Sequence, residues 1–137
     1  MIVVDTSVLI FAIRGQSRPS TDLLRHEVDQ SELLVGDVTL LEVLRGARDE
    51  AHARKLEMQL RRFMIVSMLG EQTALAAAAN YRRLRSAGVT MSKLADLIIG
   101  TYCIENGHRL LADDRDFSHM ATHLGLRLAR PRHLDPK

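Results

Sequence analysis

Short apolar runs alternate with longer stretches of helical periodicity along this chain. Ile2–Asp5 reads as a buried strand, and Leu33–Val35 reads as a second that ends at Gly36. Phe63–Ser67, Arg109–Leu111 and Leu126–Leu128 are predicted as the third, fourth and fifth strands. Between them the spacing predicts helices. One is short, from about Ser7 to Ile13, and the next is capped by Ser20 and runs to about Asp29. Others run from about Leu40 to Arg45 and from about Asp49 to Arg61. The Ala-rich stretch Glu71–Ala87 is a further helix, with Gly88 just past its end. Ser92 is the expected cap of a last long helix that reaches Asn106 and stops at Gly107. Strands this short and apolar, separated by helices, imply a parallel sheet covered on both faces. The expected fold is an α/β three-layer domain over 1–137, with Pro131 and Pro136 marking an irregular tail at 131–137. No internal repeat, low-complexity segment or linker interrupts it.

In such sheets ligands gather beyond the carboxyl ends of the strands, where strand order reverses. Asp5 closes the first strand, and Asp114 lies just past the fourth. Glu42 and Asp96 stand in apolar helical contexts, Leu40-Leu41-Glu42-Val43-Leu44 and Leu94-Ala95-Asp96-Leu97-Ile98-Ile99. An acid among apolar neighbours is costly unless something pairs with it. Two carboxylates about 5 Å apart at an effective dielectric of about 20 repel by roughly 3 kcal/mol. Several brought together therefore ask for a cation. With only oxygen ligands in the set, Mg²⁺ or Mn²⁺ suits the site better than zinc.

Each acid also has a plainer role open to it. Asp5 suits a helix N-cap or a turn before Thr6 and Ser7. Thr39-Leu40-Leu41-Glu42 fits a capping box, in which Glu42 would bond back to the cap. Asp96 could be a solvated surface residue, but it borders the helical arc that carries Ala95, Ile99 and Cys103. Asp113, Asp114 and Asp116 form an acidic loop, where one acid serves a site and one caps the following helix. Spacing alone does not choose between them.

Composition sets outer bounds. Apolar residues make up 46% and charged residues 26%, a usual globular balance, and no apolar run approaches the roughly 20 residues of a membrane helix. No basic leader precedes the apolar start, so no signal peptide is expected. A single cysteine, Cys103, forms no internal disulfide and reads as a buried thiol, in keeping with a cytoplasmic protein. The net charge is +2, but setting the five candidate acids aside leaves 12 acidic residues against 19 basic, a balance of +7. Such a surface can attract a polyanion once a metal neutralises the cluster, or its arginines can simply solubilise the fold. Arg82, Arg83 and Arg85 fit a solvated helix face better than an RNA track. His119 and His123 are four apart but lack the rest of a zinc motif.

Taken together, these segments resemble the PIN-domain family, and within it the VapC toxins of toxin–antitoxin pairs. The resemblance rests on Met1-Ile2-Val3-Val4-Asp5-Thr6-Ser7-Val8-Leu9-Ile10 and Thr39-Leu40-Leu41-Glu42-Val43-Leu44-Arg45-Gly46. It rests also on Ala95-Asp96-Leu97-Ile98-Ile99-Gly100 and Leu110-Leu111-Ala112-Asp113-Asp114-Arg115-Asp116-Phe117. It implies a PIN-like fold and a metal-dependent ribonuclease whose catalytic quartet is Asp5, Glu42, Asp96 and Asp114. Asp5 and Asp96 are the implied direct Mg²⁺ ligands, with Glu42, Asp114 and the further acid Asp116 direct or water-mediated. The family often has Thr or Ser where this chain has Ala112, which removes a polar contact near the metal. The implied partners are an RNA substrate (tRNA, rRNA or mRNA), a VapB-type antitoxin that covers the cleft, and a second copy in a homodimer.

The chemistry expected of this ligand set is metal-assisted phosphodiester hydrolysis, leaving a 5′-phosphate and a 3′-hydroxyl. No histidine pair is placed for general acid–base cleavage. A receiver-like signalling domain is excluded because the third strand ends Ile65-Val66-Ser67 without a phosphoacceptor aspartate. A catalytically silent partner-binding module and a structure-specific DNA nuclease are the remaining alternatives.

Overall fold

A computed structural model of the protein describes residues 1–130. The tail expected from Pro131 onward lies outside the described residues. Four parallel strands form the sheet: β1 (Ile2–Val4), β2 (Leu33–Gly36), β3 (Met64–Val66) and β4 (Arg109–Leu111). Their order is β3-β2-β1-β4. The chain builds outward from β1 through β2 to β3, then crosses to the other side of β1 for β4. Strand order thus reverses beside β1, and the crevice between β1 and β4 is the ligand position of an open α/β sheet. The backbone N–H of Asp5 donates to the Leu111 carbonyl at 2.8 Å, which ties the two strand ends together at that crevice.

The expected fifth strand is reduced to a single bridge from Leu128 to Leu110. Its neighbours still bond along β4, with Leu110 N–H donating to Arg127 and Ala129 N–H to Leu110. Gly125 at φ +77° closes the preceding helix immediately before it, so little extended chain is left to pair.

Successive strand residues point to opposite faces, and here both faces are buried. Val3, Leu34 and Leu110 pack on one side with Leu97, Ile99, Cys103, Phe117 and Met120. Ile2, Val4, Leu33, Val35 and Leu111 pack on the other with Val8, Leu9, Leu56 and Leu60. The helices that supply these layers are α1 (Thr6–Ile13), α2 (Pro19–Asp22, running on as a π-helical turn over Leu23–Glu27), α3 (Asp37–Leu44) and α4 (Glu50–Leu60). After β3 come α5 (Glu71–Ser86), α6 (Leu94–Asn106) and, beyond β4, α7 (Phe117–Leu124). This is the three-layer arrangement the apolar pattern implied.

Three helix starts differ from expectation. α2 begins at Pro19 after Arg18, whose N–H donates to Thr21 Oγ1 at 2.8 Å, and Ser20 instead turns its hydroxyl to Asp113. Proline at the first helical position loses nothing by lacking an N–H, so it sets the start ahead of Ser20. α6 begins at Leu94 with Lys93 as an uncapping N-terminal residue, not Ser92. α3 begins at Asp37, two residues before Thr39, which places Thr39 inside the helix and fully buried.

At the far end of α6, Gly107 adopts φ +65° and turns the chain into β4. Within the same helix Gly100 has a packing role. A Cβ there would collide with the Met120 side chain, so its absence lets α7 close on α6.

Candidate metal centre

Asp5, Glu42, Asp96 and Asp114 line one cleft of about 730 Å³, together with Thr6, Ser7, Arg45, Lys93 and several leucines. Four separate elements deliver them: the β1–α1 junction, the middle of α3, the first turn of α6 and the loop after β4.

Asp5 is the N-cap of α1 as well as a cleft residue, and its two oxygens divide the work. Oδ2 accepts from the Ser7 N–H at 3.1 Å and from the Ser7 hydroxyl at 2.6 Å. Oδ1 is buried and has no hydrogen-bond partner. Asp96 repeats the pattern: the residue is 6% exposed and its Oδ2 is buried without a partner. An orphaned buried carboxylate oxygen is costly. Two in one cleft, both able only to accept once ionised, fit a hard divalent cation.

The protonation of these acids records the same strain. Burial raises Asp96, helped by the charges of Asp5 and Asp114, and its carboxyl is pushed up to about 7. Burial also pushes Asp5 above the usual carboxylate range, although its bonds from Ser7 oppose this. Burial would raise Asp114 too, but the Asp116 N–H and the Lys93 ammonium outweigh it and hold Asp114 low. Lys93 Nζ stands 2.9 Å from Asp114 Oδ2, while Oδ1 accepts from the Asp116 N–H at 3.0 Å.

One carboxylate oxygen from each of Asp96, Asp114 and Asp116 lies within 4.8 Å of the others. Asp116 therefore joins the cluster, and as the N-terminal residue of α7 it makes no side-chain cap. Asp113 faces elsewhere. Arg18 Nε donates to it at 2.6 Å and Ser20 at 2.9 Å, while its own N–H donates to Ser7 Oγ at 3.0 Å. It anchors α2 to the loop and buttresses the serine that holds Asp5.

Glu42 is not in a capping box. Thr6 Oγ1 lies 2.8 Å from Glu42 Oε1 and 3.1 Å from Thr39 Oγ1. A carboxylate only accepts, so the single Thr6 proton goes to Glu42. Thr6, Ser7 and Lys93 escaped the sequence reading as positioning residues. The available signals were a hydroxyl pair directly after a strand-end acid and a lysine three residues before a buried one. His119 and His123 are exposed on α7 and join no acid or cysteine cluster among the described residues. Arg82, Arg83 and Arg85 are likewise exposed.

A family model for the PIN domain matches residues 2–122, which is most of the chain and contains all five acids. The chain belongs to the PIN domain family. It is 26% identical over 131 residues to a VapC ribonuclease of Mycobacterium bovis, covering 94% of this chain and 98% of the relative. Ribonuclease VapC11 of Mycobacterium tuberculosis matches with the same identity and coverage. Among solved structures, FitAcB from Neisseria gonorrhoeae aligns with TM-score 0.77 at 17% identity, covering 98% of this chain and 100% of that one. VapBC-1 from nontypeable Haemophilus influenzae aligns with TM-score 0.75 at 18% identity over 95% and 98% of the two chains. At such identities these structures share the fold. The expected PIN-like architecture is thereby confirmed, and no helix among the described residues is long and apolar enough to cross a membrane.

Proposed function

We propose that this chain is a single-domain VapC-type toxin, an endoribonuclease that hydrolyses RNA phosphodiester bonds with Mg²⁺, or Mn²⁺ in its place. The observation that carries the reading is the pair of buried, unpartnered oxygens, Asp5 Oδ1 and Asp96 Oδ2, in one cleft. They are the direct ligands in this account, with Glu42, Asp114 and Asp116 completing the site directly or through water. A catalytically silent module would have no use for orphaned acids that cost stability.

When bound, a divalent ion supplies an activated water and positive charge against the charge that develops on a scissile phosphate. The chain's own residues do the rest. Ser7 fixes the Asp5 carboxylate so that Oδ1 faces the cleft. Thr6 holds Glu42 by Oε1 and leaves Oε2, 4.0 Å from the exposed Arg45 guanidinium, to receive a proton from the attacking water. The loss of the family's Thr or Ser at Ala112 is offset in part by the Ser7 hydroxyl, which bonds both Asp5 and the Asp113 N–H.

The same reading includes an antitoxin partner and a second copy of the chain. Its support is the similarity to VapC ribonucleases and the likeness to VapBC chains. The apolar rim of the cleft adds to it, because Leu41, Leu69 and Leu94 are 66%, 54% and 72% exposed beside the acids. Solvent-facing leucines around a polar site are a surface that waits for a protein. Expression of the chain alone in a bacterial host tests this reading. Growth should stop, and co-expression with the neighbouring antitoxin should restore it. Harmless expression of a protein whose nuclease activity is intact would refute the toxin assignment.

A further inference from the structure

The acids of the cleft fall into two groups by their partners. The deep pair, Asp5 and Asp96, presents oxygens that nothing satisfies. The outer acid, Asp114, has both oxygens engaged, one by the Asp116 N–H and one by the Lys93 ammonium. Asp114 therefore already has a cation. Lys93 is held where it is by its place at the start of α6, where its carbonyl accepts from the N–H of Leu97, four residues on. The lysine thus stands on the same helix end as Asp96, and its charge also acts on Asp96 and Asp116. The pair with Asp114 keeps the ammonium in the lining of the cleft.

Resting on the ribonuclease reading above, we propose that Lys93 takes the place of a second divalent cation. The chain then holds one metal ion, at Asp5 and Asp96, which Asp114 and Asp116 reach only through water, and a built-in ammonium against those two outer acids. The physical argument is competition for one carboxylate. A divalent ion and an ammonium on Asp114 repel each other, and only the divalent ion is free to leave. An ammonium that is already bonded and covalently attached has a high effective concentration, so the outer position stays closed to solvent metal. Without the lysine, Asp96, Asp114 and Asp116 would offer three carboxylate oxygens within 4.8 Å, a set that a second Mg²⁺ or Mn²⁺ can share. Lys93 also has further N–H donors than the one given to Asp114, and its side chain is 58% exposed. Those donors are available to a phosphate oxygen entering the cleft, the service a second metal performs in two-metal nucleases.

The test counts metal ions. Mn²⁺ binding is measured by electron paramagnetic resonance on wild type, Lys93→Met and Lys93→Arg, each first made metal-free. One ion per chain is expected for wild type and for Lys93→Arg, and two for Lys93→Met. The Mn²⁺ dependence of RNA cleavage should follow, first order in wild type and second order in Lys93→Met. Two ions on wild type, or one ion on Lys93→Met with unchanged affinity, would overturn the inference and leave the ribonuclease reading standing. No ion on either protein would instead remove the metal site, and the ribonuclease reading with it. Because the Lys93 side chain is 58% exposed, the variants are expected to stay folded, which circular dichroism of the same samples checks.

Discussion

The Ser7 hydroxyl donates to Asp5 Oδ2 at 2.6 Å, and together with the Ser7 N–H at 3.1 Å it leaves Oδ1 as the Asp5 oxygen free for the cleft. Asp5 is a helix cap through Oδ2, and in the proposed site it is also a metal ligand through Oδ1. Capping alone would leave no reason for a buried orphan at Oδ1. Metal binding alone would leave the carboxylate free to rotate.

Ser7→Ala removes the side-chain donor and keeps the backbone one. Supporting bonds of this kind are worth about 10–100-fold in metal affinity. The expected result is a loss of that size in Mg²⁺ affinity by calorimetry, with little change in fold by circular dichroism. Unchanged affinity would mean that the backbone N–H of Ser7 suffices to orient Asp5.

Stability of the metal-free protein should depend on pH through Asp96. Its carboxyl titrates at about 7 in the folded chain, against an ordinary value of 3.8. Between those values the native state keeps a proton that the unfolded state has lost, so stability falls as pH rises through that window. Asp5 is raised as well and acts in the same direction. Asp96→Asn should remove most of the fall, worth on the order of a few kcal/mol, and should melt higher than wild type in EDTA at neutral pH. Mg²⁺ should reverse the trend for wild type, because metal displaces the proton. A lower melting point for Asp96→Asn in EDTA would show that Asp96 serves as a structural hydrogen-bonding group.

Cys103 is fully buried, and burial pushes its thiol up to about 12. At pH 8 only about one thiol in ten thousand would then be ionised. Alkylation by iodoacetamide should be negligible in the native protein and complete in guanidinium. Rapid native labelling would mean that α6 opens locally in its last turn.

Much of this site was legible in the sequence because strand ends and buried acids leave strong marks. Asp5 follows three apolar residues, and Asp96 is an acid inside an apolar helix. What stayed hidden depended on where helices begin. α3 starts at Asp37 because Gly36 leaves β2 directly into it, which turns the apparent cap Thr39 into a buried neighbour of Thr6. Asp113 and Asp114 are adjacent and chemically identical, and only their partners, Arg18 and Lys93, separate them. Those partners lie 95 and 21 residues away, beyond the reach of local spacing. The missing fifth strand has the same cause, since Leu126–Leu128 can pair only as far as the turn at Gly125 allows.

The central claim is that Asp5 and Asp96 hold the metal on which RNA hydrolysis depends. Its most direct test is cleavage of a mixed cellular RNA by metal-free protein, titrated with Mg²⁺, for wild type and Asp5→Asn side by side. Product ends are mapped in the same samples. The account predicts wild-type cleavage that appears with Mg²⁺, leaves 5′-phosphate ends and vanishes in EDTA. It predicts a loss of at least about 100-fold in Asp5→Asn, more than a supporting residue would cost. Full cleavage by the metal-free wild type in EDTA, or full activity of Asp5→Asn, would contradict it.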